Sequence, residues 1–314
     1  MSITYVQEPD RGGPLARALA SPRIALDLEA AGFHRYSDRI CLVQVTTPDE
    51  RTWILDALAF EVGDVLRPAL EDPGVEVVMH GADFDIRLLD RDLGIHLTGL
   101  FDTQAAAALL GEQALGLASL LEEHLGVEHA KKHQRADWAR RPLPDDMIRY
   151  AAEDTRHLFR LADLLRARLE AKGRIAWAEE ESRLLQEIRW EEDGDEDPVS
   201  GVDGARDLDG RALARLREAL DWRDEIARER DRALFRVVGD EALLEAAARR
   251  PRSTEELSRF RGMSPDLARS RGKELLARFD RVDRRPGEEL EPYPREASRG
   301  RERPSREVEE RAGR

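Results

Sequence analysis

The chain has 314 residues, enough for one large domain and a smaller module. Apolar residues make up 41% and charged residues 37%, which suits a packed core joined by very polar segments and leaves no apolar stretch long enough to span a membrane. The formal net charge of −14 weighs against binding nucleic acid by bulk charge, but the acids are concentrated. Residues 178–210 hold 13 acidic and 3 basic side chains, whereas 211–285 hold 20 basic and 15 acidic, so a basic surface elsewhere stays open.

Residues 1–22 read as a lead-in punctuated by Pro9, Gly12-Gly13-Pro14 and Pro22, with a short helix over 14–20. Met1-Ser2-Ile3-Thr4-Tyr5 has neither a basic start nor an apolar run, so no secretion signal is expected. Three short apolar runs at 23–29, 39–46 and 51–55, joined by turn residues such as Pro48-Asp49, predict an antiparallel meander. The one cysteine, Cys41, lies in the second run as a small apolar residue of a buried strand, and a single thiol suits a reducing cytoplasm. A helix over 61–71, a buried strand over 75–79 and a helix over 82–92 follow. Helices at 103–111 and 115–125 stop at Gly111 and Gly126. The stretch 128–143 is basic and irregular. Beyond it Ile148, Ala151, Ala152, Leu158, Leu161 and Leu165 form an apolar stripe that predicts one long helix over 144–172. Strands first, then helices interleaved with one further strand, describe an α/β domain with a mixed sheet.

The acidic stretch 178–210 has no apolar period and is expected to be a solvated connector. Helical periodicity returns over 211–280, with Leu213, Leu216, Leu220, Ile226 and Ala227 on one amphipathic helix and shorter helices around 240–249, 253–259 and 264–279. Residues 286–314, rich in Glu, Arg, Pro and Ser, are expected to be a disordered tail.

The unusual feature is the end of the first apolar run. Ile24-Ala25-Leu26 leads into Asp27-Leu28-Glu29. On a strand, Asp27 and Glu29 project together and Leu28 faces away. Two adjacent carboxylates repel unless a cation or proton lies between them, and a hard divalent cation with oxygen ligands fits best. Three later segments offer further acids. Asp85, in His80-Gly81-Ala82-Asp83-Phe84-Asp85, falls in the first turn of a helix at the sheet's carboxyl edge. Tyr150 and Asp154 are i and i+4 on one helix face. Asp102 precedes a helix and reads best as its N-cap.

This ordered combination resembles the DEDD superfamily of 3′→5′ exonucleases, in the subgroup with tyrosine in its last motif, of the ribonuclease D type. Further stretches are similar to that family: Tyr36 through Gln44, Phe101-Asp102-Thr103-Gln104, and Ala136-Asp137-Trp138 through Arg141-Pro142-Leu143 to Tyr150. Residues 211–285 resemble the helical HRDC domain, through Leu216-Arg217, Trp222-Arg223, Ala227 to Asp231 and Asp240 to Leu244. The implied organisation is an exonuclease domain over 1–177, an acidic linker over 178–210, an HRDC-like domain over 211–285 and a tail over 286–314. Leu28 stands where the family often has Thr, on the side facing away from the acids.

The resemblance implies an RNase H-like mixed sheet flanked by helices, followed by the small all-helical domain. It implies that Asp27, Glu29, Asp85 and Asp154 hold two divalent cations, Mg²⁺ or Mn²⁺, and that Tyr150 orients the attacking water, a phenol of reference pKa near ~10 being a poor base at neutral pH. The expected activity is metal-dependent 3′→5′ hydrolysis of RNA, tRNA precursors among the substrates, to nucleoside 5′-monophosphates. Lys131, Lys132 and Arg135 are candidates for phosphate contacts, and His34 and Tyr36 for contacts to a nucleotide. Neither a membrane nor an obligate protein partner is expected. His129 and His133, also i and i+4, are set aside as a metal pair because no third ligand lies nearby. Trp222 is assigned to a helical core. Two other readings stay open: a DNA 3′→5′ exonuclease on the same fold, and an inactive RNA-binding scaffold.

Overall fold

The computed structural model describes residues 2–9, 13–129, 132–191 and 197–294. Among these the chain divides into two compact units, one covering 1–192 with 231–233 and the other 193–230 with 234–314. No helix among the described residues is long and apolar enough to cross a membrane.

In the first unit six strands, β1 (Ser2–Val6), β2 (Arg23–Ala30), β3 (Ile40–Thr46), β4 (Arg51–Asp56), β5 (Glu76–Met79) and β6 (Leu100–Asp102), form one sheet in the order β1-β4-β3-β2-β5-β6. The meander β2-β3-β4 is antiparallel as expected. β1 pairs with β4 in parallel, and β5 and β6 continue in parallel from β2, so the sheet is mixed. Every residue of β3 is buried, because both its edges are paired and both sheet faces are covered. The lead-in expected over 1–22 contains β1, an edge strand that depends on β4 for its hydrogen bonds.

Helices cover both faces. On one side α1 (Pro14–Leu19), α2 (Gly63–Leu70) and α3 (Asp83–Leu93) pack Leu15, Leu66 and Leu89 against Leu26, Leu28, Val43 and Val45. On the other lie α4 (Thr103–Leu110), α5 (Leu117–Leu125), α6 (Asp145–Arg156), α7 (Leu158–Ala171) and α8 (Ile175–Gln186). There Ala25, Val78 and Phe101 meet Leu161 and Leu165, while Leu42 and Ile54 meet Trp138, Met147 and Ala151. The period of two along β2 therefore sends Leu28 into the first layer and turns Asp27 and Glu29 toward the second. Cys41 is fully buried, and burial pushes its thiol up to about 12.

Two helical expectations need correction. The long helix over 144–172 is two helices, α6 and α7, that break at His157. The acidic stretch is not a connector throughout: α8 runs through 178, packs against β6 and α4, and buries Ala178 and Ser182. Its glutamates sit on the outer side of a helix whose inner side is apolar. Two 3-10 turns, Pro198–Gly201 and Ala205–Asp207, bury Val199 and Ala205 in the second unit.

The second unit holds α9 (Gly210–Glu229), α10 (Leu234–Val237), α11 (Asp240–Arg249), α12 (Thr254–Leu257) and α13 (Pro265–Arg284). Asp209, Ser253 and Ser264 cap three of them through side-chain oxygens that accept from backbone N–H groups. Trp222, Leu243, Leu275 and Phe279 form its core, which places Trp222 as expected. In the segment expected to be a tail, Gly287–Glu289 form a 3-10 turn and residues 295–314 lie outside the described residues.

Candidate active site

β2 is central, paired with β5 over Arg23–Ala25 on one side and with β3 from Ala25 on the other, so the backbone at Asp27 and Glu29 is held by β3 while the β5 side has ended. The register slips between Glu29 and Ala30, which bends the strand just past the second acid. α6 lies over this part of the sheet and brings Asp154 down onto it. One ligand oxygen each from Asp27, Glu29 and Asp154 lies within 4.8 Å of the others. Residues 127 positions apart in sequence thus converge.

Asp85 joins them electrostatically: its charge acts on Glu29, and that of Asp27 acts on Asp85. Its helix is set by Asp102. One Asp102 oxygen caps α4, accepting from Gln104 N (2.7 Å) and Ala105 N (2.9 Å). The other accepts from Ala82 N at 2.7 Å, the residue that opens α3. Asp102 is the N-cap expected and, in addition, the tie that fixes where Asp85 starts. Gly81, between, has φ +69°, and a Cβ there would press on Gln104. His80 closes the turn, its Nδ1 2.9 Å from the Thr103 hydroxyl.

The cluster is electrostatically uncomfortable on its own. Burial pushes Asp27 up to about 7. Burial, then the charge of Asp27, pushes Asp154 up to about 9. Glu29 is raised by burial and then by Asp27, Asp154 and Asp85; Asp85 is raised by burial and then by Asp27 and Asp102. Gln44 adds a second oddity. It is the cross-strand partner of Asp27, on the same face of the sheet, is fully buried, and neither atom of its amide has a hydrogen-bond partner among the described residues. Clustered acidic oxygens of one hard-donor type beside an orphaned amide fit a divalent cation such as Mg²⁺ or Mn²⁺.

Tyr150 overlooks the acids. Burial, then the charges of Asp154, Glu29 and Asp27, raises its phenol well above the usual value. Its ring is packed by His129 (centroids 6.0 Å apart), His133 (5.6 Å) and Trp138 (6.1 Å). The segment carrying Trp138 is anchored to the sheet by Arg141, which grips buried Asp56 with two nitrogens at 2.6 and 2.7 Å; Tyr5 donates to the same carboxylate. Thr155, next to Asp154, is hydrogen-bonded to Thr46 (2.7 Å), which meets Thr52 (2.8 Å), a hydroxyl chain that seats α6 on β3 and β4.

Of the candidate nucleic-acid contacts, Lys132 pairs with Asp146 at 2.9 Å and lines a cavity of about 280 Å³ with His129, His133, Arg149 and Tyr150. Arg135 lies over the Phe33 ring at 5.5 Å, and its carbonyl is 2.9 Å from His34 Nε2. The Tyr36 N–H meets Asp231 at 3.3 Å. Lys131 lies outside the described residues. The roles of Gln44 and of His129, whose Nε2 is 2.8 Å from Asp154 Oδ1, escaped the sequence reading. Strand alternation could have placed Gln44 beside Asp27 had the register been known; nothing in sequence pairs 129 with 154.

Residues 14–170 match the family described as 3′–5′ exonuclease, and residues 212–278 match the HRDC domain. Protein RRP6-like 2 of Arabidopsis thaliana is 34% identical over 82% of this chain, which spans 31% of that relative's length. Ribonuclease D of Escherichia coli (strain K12) is 34% identical over 92% of this chain and 77% of its own. Its crystal structure, described as that of an exoribonuclease involved in structured RNA processing, superposes with a TM-score of 0.73 at 33% identity, covering 94% of this chain and 79% of that one. The catalytic core of RRP6 from Trypanosoma brucei gives a TM-score of 0.77 at 30% identity, covering 90% of this chain and 79% of that one.

Proposed function

The chain belongs to the ribonuclease D family of 3′–5′ exonucleases, and from that premise we propose that it hydrolyses RNA from the 3′ end, one nucleoside 5′-monophosphate at a time, with two divalent cations. The observation that carries this is the meeting of Asp27, Glu29 and Asp154 oxygens beneath Tyr150. Asp27, Glu29, Asp85 and Asp154 would hold Mg²⁺ or Mn²⁺. Bound there, the ions supply Lewis acidity toward the phosphate and a more acidic water. A phenol of reference pKa ~10 keeps its proton at neutral pH, and burial of Tyr150 favours the neutral form further, so Tyr150 orients the water through a hydrogen bond instead of deprotonating it. Packing by His129, His133 and Trp138 restricts that ring to few rotamers. Lys132, Arg135, His34 and Tyr36, with Lys131, are proposed to face the RNA backbone and the terminal nucleotides. Structured RNA such as tRNA precursors is the proposed substrate class, in line with the description of the Escherichia coli relative.

The test uses 3′-labelled RNA and DNA of one sequence with Mg²⁺, Mn²⁺ or chelator. RNA should lose its label as mononucleotide, and chelator should stop the release. Asp27→Ala should slow it by about a thousandfold, the size expected when several kcal/mol of transition-state stabilisation disappears. Equal rates on DNA would favour the DNA 3′→5′ exonuclease reading, and tight binding without cleavage in either metal would favour the scaffold.

A further inference from the structure

His129 enters the site from the segment before α6, not from any element carrying the acids. Its side chain is 7% exposed and Asp154's is 13%, so the contact between Nε2 and Asp154 Oδ1 at 2.8 Å is shielded from water. The imidazole also stacks on Tyr150, the two rings inclined by 27°. One ring therefore touches both functional groups of α6, one turn apart.

We infer that His129 is a positioning residue for Asp154: it fixes the carboxylate's rotation so that one oxygen is committed to the imidazole and the other is aimed at the cation shared with Asp27 and Glu29. This rests on the proposal that Asp154 holds a metal. The chemistry sets the direction of the bond. A carboxylate that holds a metal is ionised and offers only lone pairs, so the imidazole N–H must donate. An isolated Asp side chain has a broad terminal torsion, and in this cluster its neighbours are other acids, which repel it instead of orienting it. Donors behind a ligating carboxylate typically contribute 10–100-fold in metal affinity or activity. His129 supplies such a donor from across the cavity, and its ring fixes Tyr150 by the same placement. His133, its neighbour at i+4, does not share the role: its Nε2 meets Asp146 at 3.1 Å.

The experiment follows metal binding without RNA. Metal-free protein is titrated with Mn²⁺ and its melting temperature recorded, for the native chain, His129→Leu and His129→Gln. His129→Leu keeps the bulk and loses the donor; the Mn²⁺ concentration giving half the stabilisation should rise by ~10-fold. His129→Gln, which retains an N–H donor, should restore most of the loss. Should the Leu variant fail to fold, His129→Met against His129→Gln carries the same comparison of matched length with and without a donor. A half-point that does not move overturns the inference. So does a lower half-point, which would make the contact a latch that the metal must break. A native chain with no response to Mn²⁺ would instead overturn the metal-binding reading from which this one starts.

Discussion

Two buried carboxylate sites lie on the same sheet and have opposite electrostatics. Asp56, at the end of β4, is 1% exposed. Burial alone would raise its carboxyl, but the hydrogen bonds from Arg141 and Tyr5 outweigh it and the pKa is lowered. Asp27, two strands away, has no basic partner among the causes of its shift to offset burial, which raises it to about 7. Burial is common to both; the partner decides the sign. The first acid is finished as a structural clamp by groups the chain itself supplies. The second has no such basic partner, and in the function proposed above it is completed by a cation from outside the chain.

The largest effect that sharpens this contrast is on stability. Asp56→Ala leaves Arg141 facing a buried gap and frees the segment under Trp138. It should cost about 3 kcal/mol, the low end for a broken buried pair because Arg141 is 24% exposed, and lower the melting temperature by roughly 6–12 °C. A loss below about 1 kcal/mol would mean that the clamp is no different from a surface pair.

The matching change in the cluster should have the opposite sign. Asp27→Asn removes one charge from a repelling set, so metal-free protein should gain about 1 kcal/mol at pH 8 by chemical denaturation, while its nuclease activity disappears. Destabilisation of similar size would show that Asp27 has a structural partner after all.

The smallest and most diagnostic effect is the pH dependence. Asp56 titrates below its ordinary 3.8 when folded, so its contribution is present above that value and fades as pH falls through the lowered pKa. Asp27 and Asp154 run the other way. Their folded values of about 7 and about 9 exceed 3.8, so the protonated fold is favoured in acid, and that contribution is lost as pH rises toward 7 and then 9. Metal-free protein should therefore melt at progressively lower temperature between pH 5 and 9, as read by calorimetry. Asp27→Asn should flatten the slope, and saturating Mn²⁺ should remove most of it. A slope that survives both would point to groups elsewhere.

The placement of the acids was legible because it depends on short periods, while the chemistry proposed for them came from the resemblance that their ordered combination carries. Asp27 and Glu29 follow from strand alternation, Asp85 from a helix start, and Tyr150 with Asp154 from helical spacing. The structure adds what those periods cannot carry. β1 and β6 are short strands whose status comes from parallel pairing with β4 and β5. α8 was hidden because Glu179, Glu180 and Glu181 dominate the composition, although Ile175, Ala178 and Leu185 keep a helical stripe. The break at His157 has no proline or glycine to announce it. The Arg141–Asp56 clamp and the His129–Asp154 contact join residues 85 and 25 positions apart, and only the folded chain brings them into reach.

Cys41 has a practical consequence. It is the one thiol of the chain, it is fully buried, and its pKa of about 12 leaves almost no thiolate near neutrality. The native protein is therefore silent to thiol-directed dyes and spin labels while it stays folded. A single cysteine introduced on the surface, for example Glu128→Cys at an exposed side chain lining the cavity beside Tyr150, becomes the sole reactive point of attachment. A probe there tests whether an RNA end arrives where the proposed function places it and when it leaves.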